Sequence, residues 1–294
     1  MILVTGGTGF VGRALIRQLT AAGYEVRTLL RPSPHSPRLP LGVAVDVVLC
    51  SLNDERGLRA AMKGVNVIYH LAGSEQLGSR ADFDGVEVGG TKAVVEAASQ
   101  AGVGKLIFLS HLGADRQSAF PVLKAKALSE AFVQQSGLSH VIVRSAMAYG
   151  PGDHFTEPLA QILRRSPGIF LLPGDGSTLL QPLWIEDLTT CMVMAMEDER
   201  LMGQVIRLGG IEMLTVRDVV LAVCQRLGIR RLLLNVPGKR LRDLALWLEQ
   251  GGRFPLSVYW LDYLAYNRTC PLDSVPRLFG LLPARFHQQL GYLK

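Results

Sequence analysis

The sequence of 294 residues predicts an α/β fold: a doubly wound parallel sheet followed by a smaller, mostly helical C-terminal lobe. Short apolar segments alternate with helical patterns as far as Arg144, which is typical of parallel strands covered by helices on both faces. After residue 145 this alternation loosens, and Gly/Pro/Asp turn clusters appear at residues 150–153 and 173–176. The hydrophobic content of 48% is enough to bury a sizeable core.

The first strand, turn and helix carry the most specific pattern. Ile2-Leu3-Val4 predicts a strand, residues 13–22 predict a helix, and the glycines between them fit both G-x-G-x-x-G and G-x-x-G-x-x-G. Such glycines allow a tight turn, close approach of the backbone to a pyrophosphate and close packing of helix on sheet. The N-terminus of the helix then offers free N–H groups to the phosphates. We therefore predict a dinucleotide site built from Gly6, Gly7, Thr8, Gly9, Phe10, Val11 and Gly12.

The remaining elements follow in order. Strands are predicted at 25–30, 43–49, 67–70, 106–110, 140–144 and 204–208, and helices at 54–62, 85–101, 122–135, 154–165, 186–197, 241–250 and 256–266. Four prolines exclude a regular helix between Arg31 and Pro40. We predict a nucleotide-binding domain over residues 1–210, in which residues 146–181 contribute to the substrate side. Residues 211–294 form the mostly helical lobe, which we expect to contact a substrate or a partner.

Composition excludes several classes of function. The net charge of +6 comes without a run of five like charges, so we expect no nucleic-acid partner, although it suits a phosphorylated cofactor or an anionic membrane surface. The four cysteines are far apart and the histidines lack metal-ligand spacing, so we expect reduced thiols and no metal. No apolar run is long enough for a transmembrane segment. With a strand at residue 2 and no signal peptide, we expect a cytoplasmic protein, with peripheral membrane attachment as an alternative.

Motifs along about 210 residues resemble those of the short-chain dehydrogenase/reductase superfamily, in its extended, epimerase/dehydratase-like and atypical branches. Residues 5–12 are similar to its cofactor loop and residues 69–73 (YHLAG) to its strand-4 motif. Residues 144–153 resemble its RPxxxYGPGD stretch, and residues 173–187 its PGxG…QPxxVxD segment. Residues 110–115 and the tail 275–293 resemble the branch of the nucleotide-binding accessory subunit of respiratory complex I. The resemblance implies a Rossmann fold and a nicotinamide cofactor.

The choice of cofactor depends on the ends of strands 2 and 3. An acidic residue at the end of strand 2 would favour NAD, but Arg31 stands there, and a guanidinium suits the 2′-phosphate of NADP. We expect NADP(H) to be preferred over NAD(H), with Arg38 assisting; the alternative is a solvated arginine. The family's adenine-binding Asp after strand 3 is replaced here by Cys50-Ser51-Leu52, so Ser51, or the backbone of Leu52, would take its place.

The resemblance also implies a catalytic Tyr and a Lys four residues later on one helix face. Lys126 fills the lysine position and would bind the nicotinamide ribose, but the tyrosine position is Val122, and the other register pairs Lys124 with Phe120. The Ser/Thr position becomes Leu112, and the family's asparagine becomes Glu87. Of the four roles only the lysine is filled. Further cofactor-lining residues are expected at Leu71, Ala72, Gly73, Ser110, Ser145 and Met147.

Two functions remain open. The first is an NADP(H)-binding protein with little or no classical activity, whose cofactor is structural or sensory and which works in a larger complex. The second is an active NAD(P)-dependent reductase or isomerase on a small hydrophobic substrate, with His111 or Tyr149, or else His70, as proton donor. The apolar helices of the C-terminal lobe are expected to form core or, with Lys239, Arg240 and Arg242, a surface for a protein partner or a membrane.

Overall fold

The computed structural model describes residues 1–32, 39–250 and 257–294. Its strands are β1 (Ile2–Thr5), β2 (Val26–Leu30), β3 (Asp46–Leu49), β4 (Val67–His70), β5 (Lys105–His111), β6 (Ser139–Ser145), β7 (Ala148–Tyr149), β8 (Ile169–Pro173), β9 (Leu179–Leu180), β10 (Leu183–Trp184), β11 (Gln204–Leu208), β12 (Leu214–Thr215) and β13 (Leu232–Val236). Its α-helices are α1 (Phe10–Ala21), α2 (Glu55–Ala61), α3 (Gly90–Gln100), α4 (Pro121–Gln135), α5 (Thr156–Arg165), α6 (Ile185–Glu197), α7 (Val216–Leu227), α8 (Gly238–Gln250), α9 (Val258–Tyr263) and α10 (Ser274–Phe279).

Seven strands form the central sheet in the order β11-β6-β5-β4-β1-β2-β3. In this order, every neighbouring pair of strands from β6 to β3 is parallel. The chain runs outward from β1 to β3 and then returns to β4 on the other side of β1, so the strand order reverses between β1 and β4. In open α/β sheets, ligands bind at the carboxyl ends of the strands beside such a reversal. The predicted fold class is confirmed.

Helices cover both faces of this sheet. On one face, Leu58 of α2 and Val94 of α3 join a core cluster with Leu3, Ile68 and Leu106 of the strands. On the other face the Tyr69 hydroxyl donates a hydrogen bond of 3.1 Å to the Met192 carbonyl of α6. Burial on both sides explains why these strands are continuous apolar runs rather than alternating ones.

The chain divides into two compact units, each made of separate segments. The first comprises Met1–Ser74, Asp82–Ser145 and Leu188–Arg207, and the second comprises Glu75–Ala81, Ala146–Asp187 and Leu208–Lys294. The division differs from a single boundary near residue 210, because the chain leaves the first unit after Ser145 and re-enters it at Leu188. Residues 146–181, which the sequence assigned to the substrate side, lie wholly in the second unit.

The second unit contains a strand pair that the sequence did not predict. Residues 232–236 were expected in a mostly helical region, but they form β13, which pairs in parallel with β8. Local propensity favours a helix for Leu232, Leu233 and Leu234, and the strand that pairs with them lies some sixty residues away, so no local signal reveals the pairing. Arg38 and most of the proline-rich loop lie outside the described residues, as does the start of the helix expected at 256.

Candidate functional site

The glycine turn between β1 and α1 leaves the start of the helix open. Gly9 precedes α1 and has no side chain to cap it, so the first-turn N–H groups remain for an anion. The turn is itself closed tightly: a Cβ on Gly12 would lie 2.2 Å from the Gly6 carbonyl oxygen. The Arg13 guanidinium holds the turn from outside by donating to the Thr8 carbonyl at 2.8 Å. This arrangement fits a pyrophosphate against the backbone.

The loop after β4 lies directly against this turn. Gly6 has φ = +72°, and a Cβ there would lie 2.7 Å from the carbonyl carbon of Leu71 and 2.8 Å from the Ala72 nitrogen. Leu71 and Ala72 therefore flank the glycine turn; their contact with a cofactor ribose stays a prediction. Around the same edge of the first unit, Arg31 is exposed just beyond β2.

The segment after β3 carries two further residues that were predicted to contact the cofactor. Ser51 and Leu52 are both half-buried. Ser51 accepts a backbone hydrogen bond from Asn53, and Leu52 packs beneath the start of α3, where a Cβ on Gly90 would lie 2.8 Å from its Cδ1. The site thus brings together the carboxyl ends of β1, β2, β3 and β4.

His70, at the end of β4, is a structural clamp. It is fully buried, with Nδ1 2.6 Å from the Thr5 hydroxyl and Nε2 2.9 Å from the Thr91 hydroxyl. Thr91 in turn donates to the Glu87 carbonyl, so Nε2 carries the proton and Nδ1 accepts one from Thr5. Burial, with a smaller contribution from the charge of Lys126, lowers the pKa of His70 to about 3. His70 was suggested as a proton donor, but both of its ring nitrogens are already hydrogen-bonded and its imidazole is neutral, which makes it a poor donor.

The neutral His70 should make stability depend on pH. The unfolded chain takes up a proton here near pH 6.5, whereas the folded chain resists protonation down to about pH 3. The free energy of unfolding should therefore fall as the pH drops below about 6.5, with a contribution of up to about 1.4 kcal/mol per pH unit. Urea denaturation of wild type and His70→Gln at several pH values checks this: the variant should show the shallower fall, and parallel curves would contradict it.

The positions that the resemblance assigns to the catalytic hydroxyls are occupied by two buried apolar residues. Val122 and Leu112 are each only 3% exposed. Lys126 lies one turn after Val122 on α4 and is 4% exposed, with its ammonium 5.7 Å from the centre of the Phe108 ring. Among the described residues its Nζ makes no hydrogen bond, so its donors remain for a ribose.

Ser110 is committed to a neighbouring carboxylate. Its hydroxyl donates to Glu130 at 2.5 Å, and the Arg144 guanidinium binds the same carboxylate through both oxygens, at 2.9 and 2.6 Å. Ser110 was expected to face the cofactor, but its hydroxyl proton is already donated to Glu130 and is not free for a second acceptor. The motif arginine, Arg144, joins β6 to α4 in this network. Sequence spacing could not reveal this network, because Ser110, Glu130 and Arg144 come from the three elements β5, α4 and β6.

Glu87 occupies the position of the family's asparagine in a π-helical turn, Phe83–Gly89. The carboxylate accepts from the Ser74 backbone N–H at 2.6 Å and from its hydroxyl at 2.9 Å, while the Ser129 hydroxyl donates to the Glu87 carbonyl. Glu87 therefore fixes the loop after β4 to α4. The sequence identified the substitution but not this role.

In the second unit, Tyr149 is a core residue. Its ring packs edge-on against Trp184 and Phe286, and its hydroxyl is buried without a hydrogen-bond partner among the described residues. Burial, together with the carboxylates of Asp187 and Glu212, raises the pKa of Tyr149, so it holds its proton. Among the weak proton-donor candidates, His111 is the more accessible, being half-buried at the end of β5.

The other expected cofactor contacts fall on either side of the division between the units. Ser145 is buried at the end of β6 in the first unit, and Met147 is buried in the second. The backbone of Met147 forms a hydrogen bond with Tyr263. The guanidinium carbon of Arg268 lies 4.0 Å from the centre of the Tyr263 ring. Arg268 is buried, and none of its side-chain nitrogens has a hydrogen-bond partner among the described residues. Stacking on aromatic rings is therefore the interaction that stabilises its charge there. Nothing in the sequence singled it out.

The family-like motifs of the second unit are structural. The Asp153 carboxylate accepts from the backbone N–H groups of Gly150, Phe155 and Thr156 and from the Tyr292 hydroxyl. It thereby ties the start of α5 to the C-terminal tail. The Gln181 side chain donates to the Gly210 carbonyl and accepts from the Cys270 N–H, which joins three separate stretches of chain.

The second unit also contains an apolar cavity of about 220 Å³. It lies between α5, β8, α7, α8 and α9, and Ser166 is the one polar residue among those that line it in the described part of the chain. Phe155, Leu159, Val220 and Trp260 form part of its wall. A dry apolar cavity of this size can take up a hydrophobic ligand.

Two absences hold for the described residues. No helix there is both long and apolar enough to cross a bilayer. No group of three His, Cys, Asp or Glu side chains gathers there in a way that could hold a metal ion.

Comparison with known proteins agrees with this site. A family model described as NAD(P)H-binding matches residues 6–153. The chain is 36% identical over 193 residues to the ceramide reductase of Caulobacter vibrioides, covering 66% of the chain and 60% of that protein. It is 31% identical over 222 residues to the mitochondrial NADH dehydrogenase [ubiquinone] 1 alpha subcomplex subunit 9 of Arabidopsis thaliana, covering 74% of the chain and 55% of that subunit.

The chain therefore spans less than two thirds of the length of each of these two relatives. A solved structure, the UDP-glucose 4-epimerase of Thermotoga maritima with UDP-glucose, superposes with a TM-score of 0.74 at 20% identity, covering 99% of the chain and 96% of the epimerase, which shows a shared fold. The glycine turn, the seven-stranded sheet and the family match lead to one conclusion. The chain belongs to the NAD(P)H-binding family, within the atypical short-chain dehydrogenase/reductase superfamily, and binds a nicotinamide cofactor in a Rossmann fold.

Proposed function

We propose that this protein binds NADP(H) in preference to NAD(H), lacks the tyrosine-dependent proton transfer of its superfamily, and uses the cofactor as a structural or sensory element in a larger assembly. The observation that carries this proposal is the buried Val122, one helical turn before Lys126. A valine cannot pass a proton to a substrate oxygen. The position is closed by packing, so water cannot readily replace the missing hydroxyl.

The residues of the first unit nevertheless suffice to hold the cofactor. The open helix start at Gly9 and the glycine turn suit the pyrophosphate, residues 71–73 suit a ribose, and the Lys126 ammonium suits the nicotinamide ribose. A nicotinamide supplies a transferable hydride when bound. Two of the candidate polar groups are poor proton donors: the Ser110 hydroxyl directs its proton to Glu130, and the imidazole of His70 is neutral. These residues are therefore better suited to binding the cofactor than to transferring a proton.

Arg31 is proposed to read the 2′-phosphate. It is exposed directly beyond β2, and a guanidinium pairs with a phosphate through two hydrogen bonds. Arg31→Ala should weaken NADPH binding by about tenfold or more, since a charge-assisted hydrogen bond contributes about 1.5–3 kcal/mol, and should leave NADH binding unchanged. Calorimetric titration of both cofactors measures this, with the exposed Arg56→Ala as matched control. Equal affinities for the two cofactors in wild type and variant would refute the assignment.

The place in a larger assembly is proposed from the likeness to the complex I subunit of Arabidopsis thaliana. In such an accessory component, bound cofactor would stabilise the fold rather than turn over. If it is active instead, the protein would be an NAD(P)-dependent oxidoreductase.

A second function is favoured by the apolar cavity: a reductase or isomerase acting on a substrate with an alkyl chain. A methylene group occupies roughly the volume of one water in the liquid, about 30 Å³, so 220 Å³ would hold on the order of seven. The likeness to a ceramide reductase points the same way. With Tyr149 buried and His70 neutral, His111 is the remaining proton donor that the sequence suggested. Turnover of an alkyl ketone that His111→Ala abolishes would support this function over the first.

A further inference from the structure

The β8–β13 strand pair carries an exposed apolar surface. Because Leu232 pairs with Ile169 and Leu234 with Leu171, these four side chains point to the same face of the β8–β13 pair. All four are exposed, Leu232 by 62%. Leu244 of α8 lines the cavity with Ile169 and Leu171, and Trp247, 70% exposed, follows one turn later. We call this the aliphatic face; it consists of Ile169, Leu171, Leu232, Leu234, Leu244 and Trp247.

Basic side chains lie at both ends of the aliphatic face. At the amino ends of the two strands, Arg231 bonds to the carbonyls of Leu163 and Arg164, which places Arg230 beside the end of α5. At the carboxyl end of β13 the chain enters α8. The basic residues at the two ends are Arg164, Arg165, Arg230, Arg231, Lys239 and Arg240.

These cations are largely uncompensated. Within the described residues none of the six forms an ion pair with a carboxylate, and the exposed acids on the same elements and turns are Asp175 and Asp243. Arg242, which the sequence grouped with Lys239 and Arg240, instead pairs with Asp262 at 2.7 Å. The surface is therefore aliphatic in the middle and positive at its ends.

We propose that the aliphatic face docks on an anionic lipid bilayer. Large aliphatic side chains and a tryptophan gain by entering the headgroup and acyl boundary, while arginines and lysines at the rim attract anionic headgroups. A bilayer needs no complementary shape, which suits a surface made from one strand pair and one side of a helix. Ile169, Leu171 and Leu244 of this face also line the apolar cavity, so docking would bring part of the cavity wall against acyl chains. This inference is independent of either function proposed above.

Co-sedimentation of the full chain with vesicles tests the inference. The chain should bind phosphatidylcholine vesicles that contain phosphatidylglycerol, bind pure phosphatidylcholine vesicles far more weakly, and release as salt is raised. Leu232→Ser/Trp247→Ser and, separately, Arg165→Glu/Arg230→Glu should each lower the partition coefficient on anionic vesicles by at least about tenfold. Each substitution lies on the surface, and an unchanged circular dichroism spectrum and midpoint of urea denaturation show that the variants fold.

The matched controls change equally exposed residues elsewhere. Leu282→Ser and Arg56→Glu remove an exposed leucine and reverse an exposed arginine away from the face, and they should leave partitioning unchanged. Failure of the wild type to bind anionic vesicles would overturn the inference, as would equal losses in face and control variants. So would a dimer, seen by light scattering, that only the face variants dissociate, since the face would then belong to a second copy of the chain.

Discussion

Gly12→Ala should lower the affinity for NADPH by about tenfold to a hundredfold. The added Cβ would meet the Gly6 carbonyl oxygen at 2.2 Å and the Gly7 Cα at 2.7 Å, and both are backbone atoms that cannot rotate away. The turn must therefore open, which moves the N–H groups that suit the pyrophosphate. Overpacking a tight site typically costs about 1–3 kcal/mol, equivalent to this loss of affinity. Calorimetric titration with NADPH measures it.

The control for this change is Gly238→Ala. A Cβ there meets no atom within 4 Å, and the backbone of Gly238 does not have a positive φ. The control should bind NADPH as wild type does. If Gly12→Ala also kept wild-type affinity while remaining folded, the glycine turn would not be the phosphate site.

Glu130→Ala should lower the free energy of unfolding by about 3 kcal/mol, as expected when one member of a buried ion pair is removed. The change leaves the Arg144 guanidinium and the Ser110 hydroxyl without their acceptor, in a site where the Glu130 side chain is only 4% exposed. The midpoint of urea denaturation, followed by circular dichroism, measures the loss.

An exposed pair provides the matched control. Glu55 and Arg59 are four residues apart on α2 and 3.8 Å from each other, with side chains 79% and 50% exposed. Glu55→Ala should cost no more than about 0.5 kcal/mol. In the double variant Glu130→Leu/Arg144→Leu much of the stability should return, because no unpaired charge remains. Equal losses in Glu130→Ala and Glu55→Ala would show that the buried network contributes no more than a surface pair.

The sequence predicted the first unit well because its signals are local. A strand buried on both faces is an apolar run, a glycine spacing specifies a turn, and an aspartate can cap the helix that follows it, as Asp54 does for α2. Element ends shifted by a few residues; β3, expected from Val43, begins at Asp46. The glycine turn and residues 71–73 were placed together from their motifs alone.

What the sequence could not predict depends on partners distant in the chain. The pairing of β8 with β13, the Ser110–Glu130–Arg144 network and the stacked Arg268 each join segments that no local pattern connects. The same holds for Tyr149, whose motif suggested an active-site loop but whose ring lies in a core completed by Phe286 from the tail. Conversely, Val122 was identified from sequence by counting four residues back from Lys126, and its assignment to the tyrosine position stays a prediction.

The most direct test of the account follows the nicotinamide absorbance of the NADPH-loaded protein after addition of a broad panel of aldehydes and ketones, alkyl ketones included. A typical enzyme turns over at about 10 s⁻¹, and losing a positioned general acid forfeits about 10²–10⁴ in rate. We therefore expect NADPH to stay bound and to be oxidised no faster than about 10⁻¹ s⁻¹ by any carbonyl compound. Oxidation near 10 s⁻¹ with any member of the panel would contradict it, because the chain would then have a proton donor that replaces the missing tyrosine.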